Sequence, residues 1–485
     1  MFTKFYNKLT LLIPSLWIIF WFLFNKHFVE LGAYMESWFP YKGLIFYKDF
    51  PSFHFPLGRL PLMLIHYFTD GNTGSGSYLA LFFGLLTLYP LYLFGAKYLS
   101  KIATFISLTF FSLFYWIVQA AISYTYETLI SFFLAITLYL FFNLLDNLTL
   151  SPKKLLIFGL IVSLCELSGQ LVTITLATIV GLLIYSYLKK YKTQKLKTSF
   201  SYLLLGLLIP FAIITLYFIF NNALGDFISS NTLPYFTYTE SAQRTFWGLP
   251  FKELLAYYTP LLTLIALMIF RIVKKDKLPH SLFFVLIGVS TIPFIFFGIY
   301  HPHHLLYALP IFSIIAGYVY DLSKSNNIGR FIILVGAIIF VSIYLRNLLP
   351  RLTKNLTFPP DFTVTNETRP GDGMYESIEW MKENSQLSDK IIVVGNPLFY
   401  VKSNRMPASR PSENMPHKWE PFDKIKNELL ATPPKYWVVM DSLTKRIVKD
   451  FKKPQMIEWL NNVLNSCYKS VYNNSGIEIW ERVCN

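Results

Sequence analysis

The sequence predicts a polytopic α-helical membrane protein of about eleven spans with a small C-terminal extracytoplasmic α/β domain. Three observations carry this expectation. Of 485 residues, 54% are hydrophobic and only 15% charged, against about 25% charged in a typical soluble domain. Apolar runs of about 20 residues, the length that crosses a bilayer, recur up to about residue 350. Beyond that point the chain turns charged and Pro-rich, and its apolar pattern shortens to that of strands and amphipathic helices.

The chain opens with "MFTKFYNKLTLLIPSLWIIFWFLF". It has the basic start and apolar stretch of a signal peptide but lacks a small-x-small cleavage site, so it reads as an uncleaved first span. Spans are expected near 9–25, 77–98, 102–120, 127–146, 154–169, 171–188, 199–221, 257–273, 281–299, 304–321 and 329–348. Only "ELSGQ" separates the fifth from the sixth.

Lys and Arg in the short loops set the orientation. One alternate set holds Lys4 and Lys8, Lys97 and Lys101, Lys153 and Lys154, "KKYKTQKLK", "RIVKKDK", and Lys324 with Arg330. The other set has no Lys or Arg in "QAAISYTYE" or "YHPHH". The first set is therefore expected in the cytoplasm, with the N-terminus. The net charge of +15 then reads as a topology signal, and no motif for nucleic acid accompanies it. Residues 1–350 form the expected membrane domain, with a first outer loop over 26–77, and 351–485 the outer domain.

In that tail, "KIIVVGN" and "YWVVMD" read as short buried strands, and "MYESIEWMKEN" and "PQMIEWLNNVLNS" as amphipathic helices. Of three cysteines, Cys165 falls within a span, and Cys467 and Cys484 flank a terminal hairpin. Spacing leaves open whether those two pair.

The first outer loop carries unusual chemistry for a connection between spans. Its stretch "VELGAYMESWFPYKGLIFYKDFPSFHFPLGR" holds Glu30, Glu36, Asp49, His54 and Arg59 among aromatics, Pro and Gly, which suits short helices lying along the membrane surface. Glu30 sits about a turn past the first span, where desolvation favours the basicity that a general base needs. Glu36 is similar, and Asp49 has the alternative of capping a turn. Glu127 opens the fourth span on the same side, and Glu166, with Gln170 a turn on, lies near the outer end of the fifth. A carboxylate in a span costs about 2.5–3.5 kcal/mol and usually faces a cavity or a partner. Arg244, Lys252, His301, His303 and His304 share this side. "HPHH" reads as a bent loop without the i, i+4 spacing of a helical metal pair, so contact with phosphate or hydroxyls is preferred over a metal site. Carboxylates and cations thus gather at headgroup depth, as a lipid-linked phosphate substrate would require.

With these residues in view, the chain resembles the multispan glycosyltransferases of the GT-C fold, in the branch of protein O-mannosyltransferases and the aminoarabinose and lipopolysaccharide-core transferases. The resemblance rests on Glu30 and Tyr34, on "GLIFYKDF" (Gly43 to Phe50), on "HFPLGR" with Pro56 and Leu57, on Glu127 before "TLISFFLAITLYLFF", on "GLIVSLCELSGQ" and "HHLLYALP", and on "LFYVKSNRMPASR" in the tail. The chain departs from the pattern at Val29-Glu30, where Asp-Glu is common, at Gly169, where Lys is, and at Phe55-Pro56, where two prolines stand. The resemblance implies inverting transfer of a sugar from a polyprenyl-phosphate donor to a lipid, glycan or protein on the outer face, with no required metal or other cofactor. It implies Glu30 as general base and Glu127 as a second acid. Gln170, Arg59 and Arg244 become candidate substrate contacts, with His303 and His304 a weaker pair and Glu36, Asp49, His54 and Glu166 further substrate-side candidates. A flippase for lipid-linked sugars and an O-antigen polymerase or ligase are the rival expectations. Against a transporter, polar groups crowd one face instead of mid-membrane, and no internal repeat is visible.

Overall fold

The computed structural model describes residues 2–24, 31–50, 52, 54–69, 75–119, 124–147, 151–191, 193–231, 286, 290, 302–323, 373–409, 422–441 and 454–484. The spans expected at 257–273 and 329–348, and all of 281–299 but two residues, lie outside this set.

The first helix is α1 (Phe2–Leu23). The segment after it then forms α2 (Leu31–Tyr41), a 3-10 turn at Pro56–Gly58 and α3 (Leu60–Thr69). These are the short helices expected there. Next come α4 (Ser75–Tyr98), α5 (Lys101–Gln119), α6 (Tyr126–Asn147), α7 (Pro152–Ser168), α8 (Thr173–Lys190) and α9 (Thr193–Phe220). A 3-10 turn at Gln170–Val172 separates α7 from α8, so the fifth and sixth expected spans are distinct helices. The segment expected at 304–321 begins as a 3-10 helix, Pro302–Ala308, and continues as α10 (Leu309–Ser323). "HPHH" therefore leads into a wound turn and not only a bent loop, because Pro302 fixes a φ suited to a helix start.

Among the described residues, five helices are long and apolar enough to cross a membrane: Ser75–Tyr98, Tyr126–Asp146, Gln170–Lys190, Thr198–Phe220 and His304–Asp321. Leu9–Leu23 and Lys101–Tyr115 are shorter apolar helices. In lipid, packing rather than water exclusion holds helices together, so small residues mark the tight crossings. At the crossing of α7 and α9, a Cβ on Gly159 would lie 2.5 Å from the Leu203 carbonyl oxygen, and one on Gly206 2.3 Å from that of Leu156. Around such crossings, Ile18, Phe94, Tyr115, Ile130, Phe158 and Leu306 build one buried cluster. At one end of the bundle, Lys97 pairs with Asp146 at 3.1 Å, and the Ser100 backbone N–H donates to Asp321 at 2.6 Å.

The tail contains α11 (Gly373–Asn384), β1 (Ile391–Val394), α12 (Leu398–Ser403), α13 (Phe422–Ala431), β2 (Tyr436–Met440), α14 (Pro454–Cys467), β3 (Tyr468–Asn474) and β4 (Ile477–Arg482). The sheet runs β1-β2-β4-β3, with β1 parallel to β2 and the other pairs antiparallel. Alternation along the strands covers both faces. Ile391, Val393, Tyr436 and Val438 face one cluster, and Ile392, Val394 and Trp437 face another with Leu460 and Leu464 of α14. Arg405, almost fully buried, ties α12 to the end of α11 by donating to the Ser385 carbonyl at 2.7 Å and its hydroxyl at 2.8 Å. Cys467 and Cys484 form a disulfide across the base of the hairpin, with Cα atoms 5.1 Å apart.

The first face of that sheet shares its cluster with the first loop. Tyr34, Met35, Trp38 and Phe39 of α2 pack in one apolar body with Phe399, Tyr400 and Ile391. The Phe39 and Tyr400 rings meet edge-on at 6.0 Å. The C-terminal sheet is thus seated on the helix that carries Glu36.

Candidate active site

Glu127 is fully buried at the start of α6, and its Oε1 lies 2.5 Å from Nδ1 of His304. A carboxylate accepts, so the Nδ1 proton points at Glu127. This carboxylate–histidine link was not visible in sequence, because 177 residues separate the partners.

A second cluster comes from the loop after α1. Arg59 Nε donates to Glu36 Oε2 at 2.6 Å, and both side chains are 1% exposed. Arg59 Nη2 lies 3.3 Å from His54 Nδ1, which is 3.5 Å from Glu36 Oε2. A guanidinium only donates, so His54 Nδ1 accepts and its proton sits on Nε2. Burial pushes the Glu36 carboxyl up, but the Arg59 guanidinium and the other polar neighbours more than offset this and hold it at about 2.

Tyr126 stands between the clusters. Its ring centroid is 4.3 Å from that of His54 and 6.3 Å from that of His304. The Arg59 guanidinium lies 5.3 Å from the same centroid, and the hydroxyl is 3.5 Å from His304 Nδ1. Two glycines give this residue its place, Gly169 at the ring and Gly58 at Cβ and the Ser168 carbonyl. A Cβ on Gly58 would fall 2.7 Å from Tyr126 Cβ, and one on Gly169 2.5 Å from Tyr126 Cδ2. Gly169 is the residue that leaves this ring its space.

The other expected residues fall as follows. Asp49 accepts from the Ile45 backbone N–H at 2.7 Å, closing a turn. Glu166 accepts from the Thr173 hydroxyl at 2.5 Å, and Gln170 Nε2 donates to Asn231 Oδ1 at 2.6 Å. That amide pair adjoins the loop, where the Tyr47 hydroxyl donates to the His54 carbonyl at 2.6 Å. Tyr47 itself holds φ at 65°, a left-handed backbone that costs about 1 kcal/mol or more for a bulky residue. Glu30 and Arg244 lie outside the described residues, as does the His303 side chain. Besides Tyr126, sequence reasoning passed over Asn231 and His66. The latter donates from Nε2 to Ser37 Oγ at 2.9 Å, since that hydroxyl is committed to the Tyr34 carbonyl at 2.8 Å. Burial pulls His66 down to about 4.

Apolar helices, a polar cluster at the end of the bundle where α6 begins, and a C-terminal sheet seated on the first loop define the class: a helical membrane protein. No protein-family model matches the sequence, and no curated protein matches it. Solved structures do. The chain is similar to ArnT from Cupriavidus metallidurans bound to undecaprenyl phosphate, at 12% identity over 99% of this chain and 98% of that one, with a TM-score of 0.58. It is also similar to the Archaeoglobus fulgidus oligosaccharyltransferase tethered to an acceptor peptide with the NVT sequon, at 12% identity over 100% and 74%, with a TM-score of 0.56. AglB from the same archaeon, in complex with an inhibitory peptide and a dolichol-phosphate, gives 12% identity, 100% and 75% coverage, and a TM-score of 0.51. ArnT and the archaeal oligosaccharyltransferases are GT-C membrane glycosyltransferases, so the fold expected from the resemblance is the fold found.

Proposed function

We propose that the protein transfers a sugar, hexose or pentose, from a polyprenyl-phosphate donor to a lipid, glycan or protein acceptor on the outer face of a cell membrane. The single observation that carries this reading is the buried Glu127–His304 pair, set beside Glu36, Arg59 and His54 at one end of a GT-C bundle. The transfer inverts the anomeric carbon. An acceptor O–H or N–H attacks that carbon, its bond to the phosphate oxygen breaks, a carboxylate takes the proton, and polyprenyl phosphate departs. Glu30 is the candidate base by resemblance, and Glu127 is the second acid, held in place by His304. Gln170, Arg59, Arg244, His303 and His304 remain the candidate substrate contacts, with Glu36, Asp49, His54 and Glu166 beside them.

In this reading about eleven spans make up residues 1–350, the N-terminus is cytoplasmic, and residues 351–485 form an outer domain that helps select the acceptor. ArnT holding undecaprenyl phosphate and the archaeal oligosaccharyltransferase holding an acceptor peptide support a lipid-phosphate donor side and a polymer acceptor side. No divalent metal takes part, so a chelator should leave turnover unchanged.

The test is release of polyprenyl phosphate by the full chain in nanodiscs offered radiolabelled polyprenyl-phosphate sugars, with Glu30→Gln and Glu127→Gln beside the parent. Release by the parent and its loss in the variants supports the reading. If no donor turns over while lipid-linked sugar crosses the bilayer, a flippase takes its place.

A further inference from the structure

Tyr126 has no role in the reading above, yet more of the site converges on it than on any carboxylate. Its ring packs against His54 with centroids 4.3 Å apart and planes tilted by 41°, lies under the Arg59 guanidinium at 5.3 Å, and occupies space that Gly169 leaves clear. Packing of an imidazole against an aromatic face fixes its plane, and a guanidinium over the same face is attracted by the ring quadrupole. Arg59 in turn fixes the tautomer of His54, since Nδ1 must accept from Nη2 at 3.3 Å and the proton is left on Nε2. The ring and the guanidinium together therefore set both the plane and the donor atom of one histidine.

His54 is also the member of its cluster that reaches the surface. Its side chain is 21% exposed, whereas those of Glu36 and Arg59 are 1% exposed. Arg59 is buried against the Glu36 carboxylate and reaches His54 with its Nη2 nitrogen, so it orients that neighbour whatever else it meets. We propose that Tyr126 is a positioning residue whose ring holds His54 as a hydrogen-bond donor, through Nε2–H, to the phosphate of a lipid-linked substrate. This rests on the transferase reading for its catalytic consequence, but the phosphate contact is testable apart from it.

The experiment titrates undecaprenyl phosphate into the full chain in nanodiscs and, in parallel, measures KM and kcat for whichever donor the parent uses. Tyr126→Phe keeps the ring and should bind within about twofold of the parent. Tyr126→Leu removes the ring and should bind about fivefold more weakly. Gly169→Ala keeps the tyrosine but drives a methyl into its ring, and its backbone φ of 168° is extended, open to any residue. It should weaken binding as Tyr126→Leu does. The loss should fall on KM more than on kcat, which a general loss of folded protein would not produce. The proposal is overturned if Tyr126→Leu and Gly169→Ala bind as the parent does, if Tyr126→Phe binds as weakly as Tyr126→Leu, or if the parent binds no undecaprenyl phosphate. A parent that shows the expected binding pattern but turns over no donor would sink the transferase reading and leave the role of Tyr126 standing.

Discussion

Glu127 and His304 lie 177 residues apart in the chain, yet a carboxylate oxygen of one is 2.5 Å from Nδ1 of the other, with both side chains buried. A carboxylate at Nδ1 fixes the histidine's orientation and raises its basicity, and it holds the acid itself in one rotamer. Glu127→Gln keeps the shape but presents either an amide N–H or a weaker acceptor to that ring. Turnover by Glu127→Gln should fall about a hundredfold with little change in thermal midpoint, as for removal of a positioned acid–base group. Unchanged kcat in single-turnover assays would leave Glu127 with no part in the chemistry.

The Glu36–Arg59 pair should behave differently, as structure before chemistry. Both partners are 1% exposed, so removing one strands the other charge in a dry site. Glu36→Ala should destabilise by about 3–5 kcal/mol, whereas Glu36→Gln with Arg59→Met should recover most of that. Unfolding in nanodiscs by denaturant or heat reads both outcomes.

The same pair predicts a dependence on pH. Glu36 is held at about 2 in the folded chain against an ordinary 4.5. A group whose pKa is depressed by folding contributes stability that is fully present above its unfolded value and lost as pH falls through its folded one. The parent should therefore lose stability between pH 4.5 and about 2, and the Glu36→Gln variant should lose less over that window. Parallel curves for the two would show that the acid is not anchored by Arg59 in solution.

The tail domain and the first loop share one apolar cluster through Phe39 and Tyr400. Removing either ring should cost about 3–5 kcal/mol. The double variant should cost less than the sum by about 0.5–1.5 kcal/mol, the coupling of an aromatic pair. Because Phe39 lies one turn beyond Glu36 on α2, Tyr400→Ala should also lower turnover. Activity insensitive to Tyr400 would separate the domain from the site.

Cys467 and Cys484 close the terminal hairpin. Cys467→Ser should cost the tail domain about 2–4 kcal/mol. In the parent, thiol labelling before and after reduction should detect these two sulfurs only after reduction.

The charged parts of the site were legible in sequence. An ionisable residue beside an apolar span is costly and conspicuous, which is how Glu36, His54, Arg59, Glu127 and His304 stood out. Tyr126 was not legible. The chain has 32 tyrosines, and none is marked by composition or spacing as the one between two histidines. Asn231 and His66 escaped for a similar reason, since each is made significant by a partner distant in the chain. Asp49, conspicuous by charge and by the "GLIFYKDF" motif, closes a local turn.

The sequence by itself determined the apolar helices among the described residues, the tail's strands and amphipathic helices, and the set of polar residues worth watching. All of these follow from local periodicity and from the cost of placing charge in lipid. Only the tertiary structure decided which acid meets which base, because that depends on the register between helices far apart in the chain. That register is set by steric fit at the crossings: Gly159 against Gly206, and Gly58 and Gly169 against Tyr126. A methyl group's worth of space at those glycines separates a gathered site from scattered polar residues, and a linear pattern does not encode where that space opens.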